Sequence, residues 1–495
     1  MARLVGFLLG GCASNAPDMV ACPTEYEANA AMWYSMSGAT SIFAPPGHRP
    51  AWYWQEVMKR RGLSGTVEDL GYADLWLDQL FGEAQSQLLG CWVHGGRYWE
   101  ATLQLRAMAR KVPASNVSAF LRYLSRLVFK GTKLEIEGVP EVLRTSLCAP
   151  ISCQEAMLAE VIYPKFIATR LLKRASGFLE PQELAQLLEI KEMMDWSSIQ
   201  LDFAVAGVDS CGTSSLHRNL DKHVEIAFST SDEDFFFSNQ VVHRLLPLKQ
   251  QVDAYNAQLE AVREAKWRST GHRPTLLGLC NPTLFSYGLP RRALASMPNL
   301  KTVLVLCDPL NRLEKEFVMY RYCHEDLAQA MQRGLASRDH HAASHPRNCF
   351  PSASALLSER WGALRDFWAS REVAQHLQTM LTLFSGRGMV LHQERLSSRE
   401  TFTALVQFIG AQYGFSKEAT FPRHNSVGGH RSDLCFNMTL VQSLQSLLEP
   451  EYRMQEYMFS KAEEPLPRLL GSRVTRCHQL SAAHCPFREA CEQSL

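Results

Sequence analysis

Phe203-Ala-Val-Ala-Gly-Val-Asp-Ser-Cys-Gly-Thr-Ser-Ser-Leu216 opens on an apolar run, passes through a Gly/Ser/Thr turn and resumes helical spacing at Leu216-His-Arg-Asn-Leu220. Strand, tight turn and helix in direct succession are the pieces of a βα unit. Gly207 and Gly212 are separated by four residues, and Thr213-Ser214 follow. Glycines there let the backbone turn its N–H groups inward. The helix start adds partial positive charge, and Ser and Thr hydroxyls donate to phosphate oxygens. A plain tight turn is the competing reading. Thr213 stands where a loop that splits ATP or GTP carries its Lys, which argues against nucleotide hydrolysis.

Outward from this loop, short apolar runs recur at Thr275-Leu-Leu-Gly-Leu279, Lys301-Thr-Val-Leu-Val-Leu306 and Gly388-Met-Val-Leu-His392. Helical stretches intervene at Val241–Trp267, Glu359–Phe384 and Thr401–Phe415. Short buried strands alternating with long helices predict an α/β domain over 197–465, a P-loop parallel sheet with helices on both faces. Residues 17–196 read as a mostly α-helical, Cys-containing domain, with helical spacing at Tyr72–Phe81, Tyr98–Lys111, Ser115–Phe129 and Pro181–Trp196. Residues 466–495 form a short Cys-containing tail.

Composition bounds the function. Lys plus Arg number 51 against 50 Asp plus Glu, a net charge of +1. No global field exists to capture nucleic acid or an acidic membrane, so any anion site is local. No apolar stretch reaches the roughly 20 residues needed to span a bilayer. Met1–Ala16 has an early Arg, a short apolar stretch and small residues near its end. It reads as a signal peptide cut near Ala16, or as a buried N-terminal strand of a cytoplasmic protein. The 14 cysteines favour the oxidising route. Asn116-Val-Ser118 and Asn437-Met-Thr439 are N-glycosylation sequons.

The segment Phe203–His223 resembles the opening of the P-loop sulfotransferase family, carbohydrate type, whose K-x-G-T-[TS]-x-L loop holds the 5′-phosphosulfate of 3′-phosphoadenosine 5′-phosphosulfate (PAPS). More landmarks follow in family order. Asp232-Glu-Asp-Phe-Phe-Phe237 looks like K-E-x-x-F-F, and Asn281-Pro-Thr283 like S-P-x. Pro298–Arg312 is similar to P-x-x-K-x-[IV]-x-x-L-R-D-P-x-x-R. Val390-Leu-His-Gln-Glu-Arg-Leu396 with Phe408-Ile-Gly410 is similar to the closing E-x-L and F-L-G run.

The resemblance implies a PAPS-dependent transfer of a sulfuryl group to a hydroxyl or amine of a carbohydrate, with no metal. It assigns the donor nucleotide to Ser210, Cys211, Gly212, Thr213, Ser214, Ser215, Arg312 and Lys315, with Arg431 in a cofactor-covering loop. Glu233 matches the family's base, and Ser210 the catalytic loop Lys. The other reading of Glu233 is a solvated acid, and Asp209 and His217 are nearby capping or surface residues. Ser210, Leu279, Cys280 and Cys307 replace charged residues of the family pattern, and Asp232 replaces the Lys of K-E-x-x-F-F. These departures leave open a catalytically weakened protein that binds nucleotide or glycan without turnover.

Cys148-Ala-Pro-Ile-Ser-Cys153 resembles a segment of the extracellular domain of nose-resistant-to-fluoxetine proteins. Its Pro bends the chain so that the two cysteines could close a small disulfide loop. Asp339-His-His-Ala-Ala-Ser-His345 with Cys349, and Cys477, Cys485 and Cys491 in the tail, read as a solvated loop and a disulfide-tied end rather than metal sites.

Overall fold

The computed structural model describes residues 18–35, 82–128 (except 83), 142–166, 181–237, 245–309 (except 287), 382–422 and 452–457 (except 454). It also describes 136, 139, 312, 322–324, 348–350 and 424. Met1–Ala16, Tyr72–Phe81, the histidine-rich stretch 339–345, the 425–431 loop, Lys315, Arg431 and the Cys-containing tail lie outside the described residues, as does Glu359–Phe384 apart from its end. Two compact units emerge. One takes residues 1–64, 75–198 and 242–254, and the other 65–74, 199–241 and the chain from 255 onward.

In the first unit, helix α1 (Asp18–Ala28) precedes β1 (Gly96–Leu103), α2 (Leu105–Lys111), α3 (Ala114–Val128), β2 (Leu143–Pro150) and β3 (Leu188–Glu192). The strands form an antiparallel sheet in the order β2-β1-β3, with Trp99 opposite both Leu147 and Glu192. The helical stretch expected over Tyr98–Lys111 is therefore a strand followed by a helix. That over Pro181–Trp196 is a helix at Pro181–Ala185 followed by β3. All but one residue of β1 is buried, so the strand shows no polar/apolar alternation to read. Leu105, Met108, Phe120, Leu147, Leu158 and Ile190 share one core.

The cysteines of this unit do not close a local loop. Cys148 bonds Cys91, and Cys153 bonds Cys22. Cys148 is held in extended β2 opposite Tyr98, whereas Cys153 follows a turn closed by its amide on the Pro150 carbonyl. Each sulfur thus finds a different element, and both bonds are buried.

The second unit is an α/β sheet of five parallel strands. These are β4 (Phe203–Val205), β5 (Ile226–Phe228), β6 (Leu276–Cys280), β7 (Lys301–Leu306) and β10 (Gly388–His392), in the order β10-β7-β4-β6-β5. A separate parallel pair joins β8 (Tyr322–His324) to β9 (Asn348–Phe350). Helices α4 (Thr213–Leu220), α5 (Lys249–Thr270), α6 (Gly288–Ala295) and α7 (Arg399–Ile409) flank the five strands. The four apolar runs noted in the sequence are β4, β6, β7 and β10. Of the helix expected from Val241, residues 241–244 lie outside the described residues; the helix runs from Lys249, after Pro247, which has no amide to donate, and Leu248, which bridges Met193. That expected from Thr401 to Phe415 starts at Arg399, capped by Ser398, and stops at Gly410, whose φ of 104° ends the turn. Among the described residues no helix is long and apolar enough to cross a membrane.

Candidate functional site

β4 lies at the centre of the sheet with β6 on one side and β7 on the other, both parallel to it. The chain leaves β4 where the strand order reverses, the position at which open parallel sheets form a crevice beyond their C-terminal ends. The loop first stays laddered on β7. The Ala206 amide donates to Val303 O at 2.9 Å, Val208 to Val305 O at 2.9 Å, and Val305 to Gly207 O at 2.7 Å. The Cys211 amide then donates to Val208 O at 3.2 Å, closing a turn with Asp209 and Ser210 at its tip. Ser210 adopts φ 63°, the left-handed region that a short polar side chain tolerates best after Gly and Asn.

Both glycines answer to crowding as well as to φ. A Cβ at Gly207 (φ 129°) would lie 2.6 Å from Pro282 O. One at Gly212 (φ 101°) would meet Leu396 at 3.1 Å and the Gln393 side chain at 3.5 Å. Gly212 caps α4, whose first intrahelical bond runs from the Leu216 amide to Gly212 O at 3.1 Å. The amides of Thr213, Ser214 and Ser215 precede that bond and have no acceptor within the helix. With the Thr213 and Ser214 hydroxyls they make a donor set suited to a phosphate or sulfate group. Gln393, which sequence reasoning passed over, borders this helix start.

Cys211 and Cys307 are joined by a disulfide, with Cα atoms 5.2 Å apart. It ties the residue before Gly212 to the residue after β7. Cys307 also accepts a bond from Gln455 Nε2 at 3.2 Å on its carbonyl. Tyr452 donates its hydroxyl to Asp308 Oδ1 at 3.3 Å. The Arg312 amide donates to Asp308 O at 3.0 Å, and the Arg312 side chain is buried. The loop and the Arg312 segment thus leave adjacent strands at the same end and are covalently connected there.

Glu233 follows β5. Burial, then the charges of Asp209 and Asp232, hold its carboxyl above the ordinary range. The turn tip and Glu233 therefore share one electrostatic environment, and it is acidic. Cys280, at the end of β6, is buried below the helix start with Sγ 3.9 Å from Thr213 O. Leu279 is buried in the core. His217 is buried against β5. Its ring centroid is 4.0 Å from that of Phe228, and burial lowers its pKa.

Ser215 is engaged elsewhere. Its hydroxyl donates to His424 O at 2.8 Å and accepts from the His424 amide at 2.9 Å. Asn219 Nδ2 donates to Pro422 O at 3.0 Å, and Lys222 Nζ to Asn219 Oδ1 at 3.0 Å. Ser215, Asn219 and Lys222 recur at three- and four-residue spacing, so the signal for this polar stripe was present in the sequence. Its partner, just over two hundred residues later in the chain, had no sequence signature. Among the described residues no group of three or more His, Cys, Asp or Glu side chains is placed to hold a metal ion.

No family model matches the chain, and no curated protein matches it. Among solved structures, a sulfotransferase from Alicyclobacillus acidocaldarius is similar at 15% identity and a TM-score of 0.33. The match covers 52% of this chain and 95% of that one.

Proposed function

We propose that the second unit binds PAPS in the crevice beyond β4 and is a sulfotransferase acting on a hydroxyl or amine of a carbohydrate. The observation that carries this reading is the start of α4, where three amides without helical acceptors and two hydroxyls stand at the reversal of strand order, beside a carboxyl of raised pKa. The donor set of that helix start fits the phosphosulfate end of the nucleotide. When bound, PAPS supplies the sulfuryl group and a phosphate leaving group. The amides of Thr213–Ser215 and the Thr213 and Ser214 hydroxyls bind and orient that end. Arg312, with Lys315 and Arg431, meets the other phosphates. Glu233 takes the acceptor's proton as the new bond to sulfur forms, and its raised pKa suits a base working near neutrality. A leader over residues 1–16 and a place in the secretory lumen or outside the cell belong to the same proposal, supported by three disulfides.

A second reading, nucleotide or glycan binding without turnover, is favoured by the turn tip itself. Ser210 carries no charge to stabilise a leaving phosphate, and the nearby Asp209 and Asp232 carboxylates oppose it. Binding of 3′-phosphoadenosine 5′-phosphate to the purified chain, followed by transfer of radiolabelled sulfate to mixed glycans, separates the readings. Binding with transfer supports the first, and binding without transfer the second. No binding at millimolar nucleotide sinks the first reading and the nucleotide-binding form of the second.

A further inference from the structure

The turn Val208–Cys211 is closed at its base in two independent ways. On one side Val208 and Gly207 exchange backbone bonds with Val305 of β7. On the other, two residues further along β7's course, Cys307 is bonded to Cys211. The Cys211 amide completes the ring on Val208 O. Asp209 and Ser210 therefore project from a closed frame instead of a loop free to wrap an anion. The next residue after that frame, Gly212, is the cap of α4, so any movement of Cys211 moves the first amides of the helix.

We infer that the Cys211–Cys307 disulfide is a positioning element for the anion site at the start of α4. It holds the Thr213–Ser215 amides in register with the end of β7. Both sulfurs are buried, so the bond is screened from solvent thiols while the frame is closed. Reduction by a dithiol such as dithiothreitol converts the bond to two thiols, the electrons coming from the reductant, and frees the turn. The inference rests on the proposed nucleotide binding and adds to it the statement that affinity depends on this one disulfide.

The test compares the oxidised full-length chain, the double variant Cys211→Ala/Cys307→Ala, and a control, Cys91→Ala/Cys148→Ala, whose disulfide lies in the first unit. Two quantities are read: the dissociation constant for 3′-phosphoadenosine 5′-phosphate, and hydrogen exchange of the amides 209–216 without ligand. Removing the Cys211–Cys307 bond is expected to weaken binding at least about tenfold and to speed exchange across those amides. Removing the control bond is expected to lower thermal stability and leave both unchanged, which a merely stabilising role for Cys211–Cys307 would not reproduce. If the double variant fails to fold, wild-type chain reduced in place, with its thiols mapped by mass, is measured instead. Equal affinity with and without the bond overturns the inference while the binding reading stands. No binding by the oxidised wild type overturns both.

Discussion

Tyr255 of α5 donates its hydroxyl to the Asp234 carboxylate at 2.5 Å. The same buried carboxylate accepts from the Ser229 hydroxyl and, at 2.8 Å, from the Phe236 amide. Asn281 at the end of β6 donates to the Asp234 carbonyl at 2.7 Å. The residue beside Glu233 is thus clamped to a helix and a strand end, which fixes the backbone from which the proposed base projects. Burial and the Asp234 charge hold Tyr255 well above its ordinary pKa, so it remains a donor.

Tyr255→Phe keeps the ring stacked on Phe236, at a centroid distance of 4.1 Å, and removes one donor from a buried carboxylate. The expected cost is about 1–3 kcal/mol, read as a lower midpoint in urea unfolding with an unchanged slope. An unchanged midpoint would mean that Ser229 and the Phe236 amide suffice.

Glu233→Gln is expected to leave nucleotide affinity intact and to reduce sulfuryl transfer by about 10²–10⁴-fold. The carboxyl also makes a signed prediction for stability. Its folded pKa is raised from 4.5 by burial and by Asp209 and Asp232, so the folded state resists its ionisation. Its favourable contribution is complete below the unfolded value and is lost as pH rises through the folded one. The variant should therefore gain stability over wild type near neutrality and lose that advantage below about pH 4. Thermal melts across this range check the sign, and a variant less stable than wild type at pH 7 contradicts it.

Gly207→Ala combines a left-handed φ with a Cβ 2.6 Å from the Pro282 carbonyl oxygen, a backbone atom that cannot swing aside. Gly386→Ala also has a positive φ, 75°, but open space around it. The second should lose about 1–2 kcal/mol, and the first distinctly more. Equal losses in urea titrations would show that the Asn281–Thr283 segment yields.

The cysteines can be checked chemically. A non-reduced peptide map should show Cys22 with Cys153, Cys91 with Cys148 and Cys211 with Cys307, and no Cys148–Cys153 peptide. Each bond closes a loop long enough to add up to about 4–5 kcal/mol on the chain-entropy account. Cys280 is free and buried, and burial together with Glu233, Asp232 and Asp234 pushes its thiol far up. Iodoacetamide at pH 8 should label it only after unfolding. Labelling of the native chain would show that the ground beneath α4 opens to solvent.

Local residue order was enough for the parallel sheet. The runs that became β4, β6 and β7 are largely apolar because both faces of a central parallel strand are covered, and that needs no knowledge of partners; β10, at the sheet edge, is only partly buried. β5 escaped notice because its three apolar residues lie between Glu225 and Ser229, whereas the equally short β4 runs on into further apolar residues. The antiparallel sheet of the first unit escaped because a strand buried on both sides, such as β1, can be taken for a buried helix segment until its neighbours are known.

The site divides along the same line. The βα turn with its two glycines, its hydroxyls and Glu233 stood in the sequence, since a helix start and an acidic run are local features. What Cys211 and Cys307 do, why Ser215 is tied to the His424 backbone, and which cysteine meets Cys148 were settled only by the fold. Each joins residues between 57 and 209 positions apart. No local propensity encodes such a meeting; it follows from sheet order and packing, which bring distant strand ends and helix faces to one place.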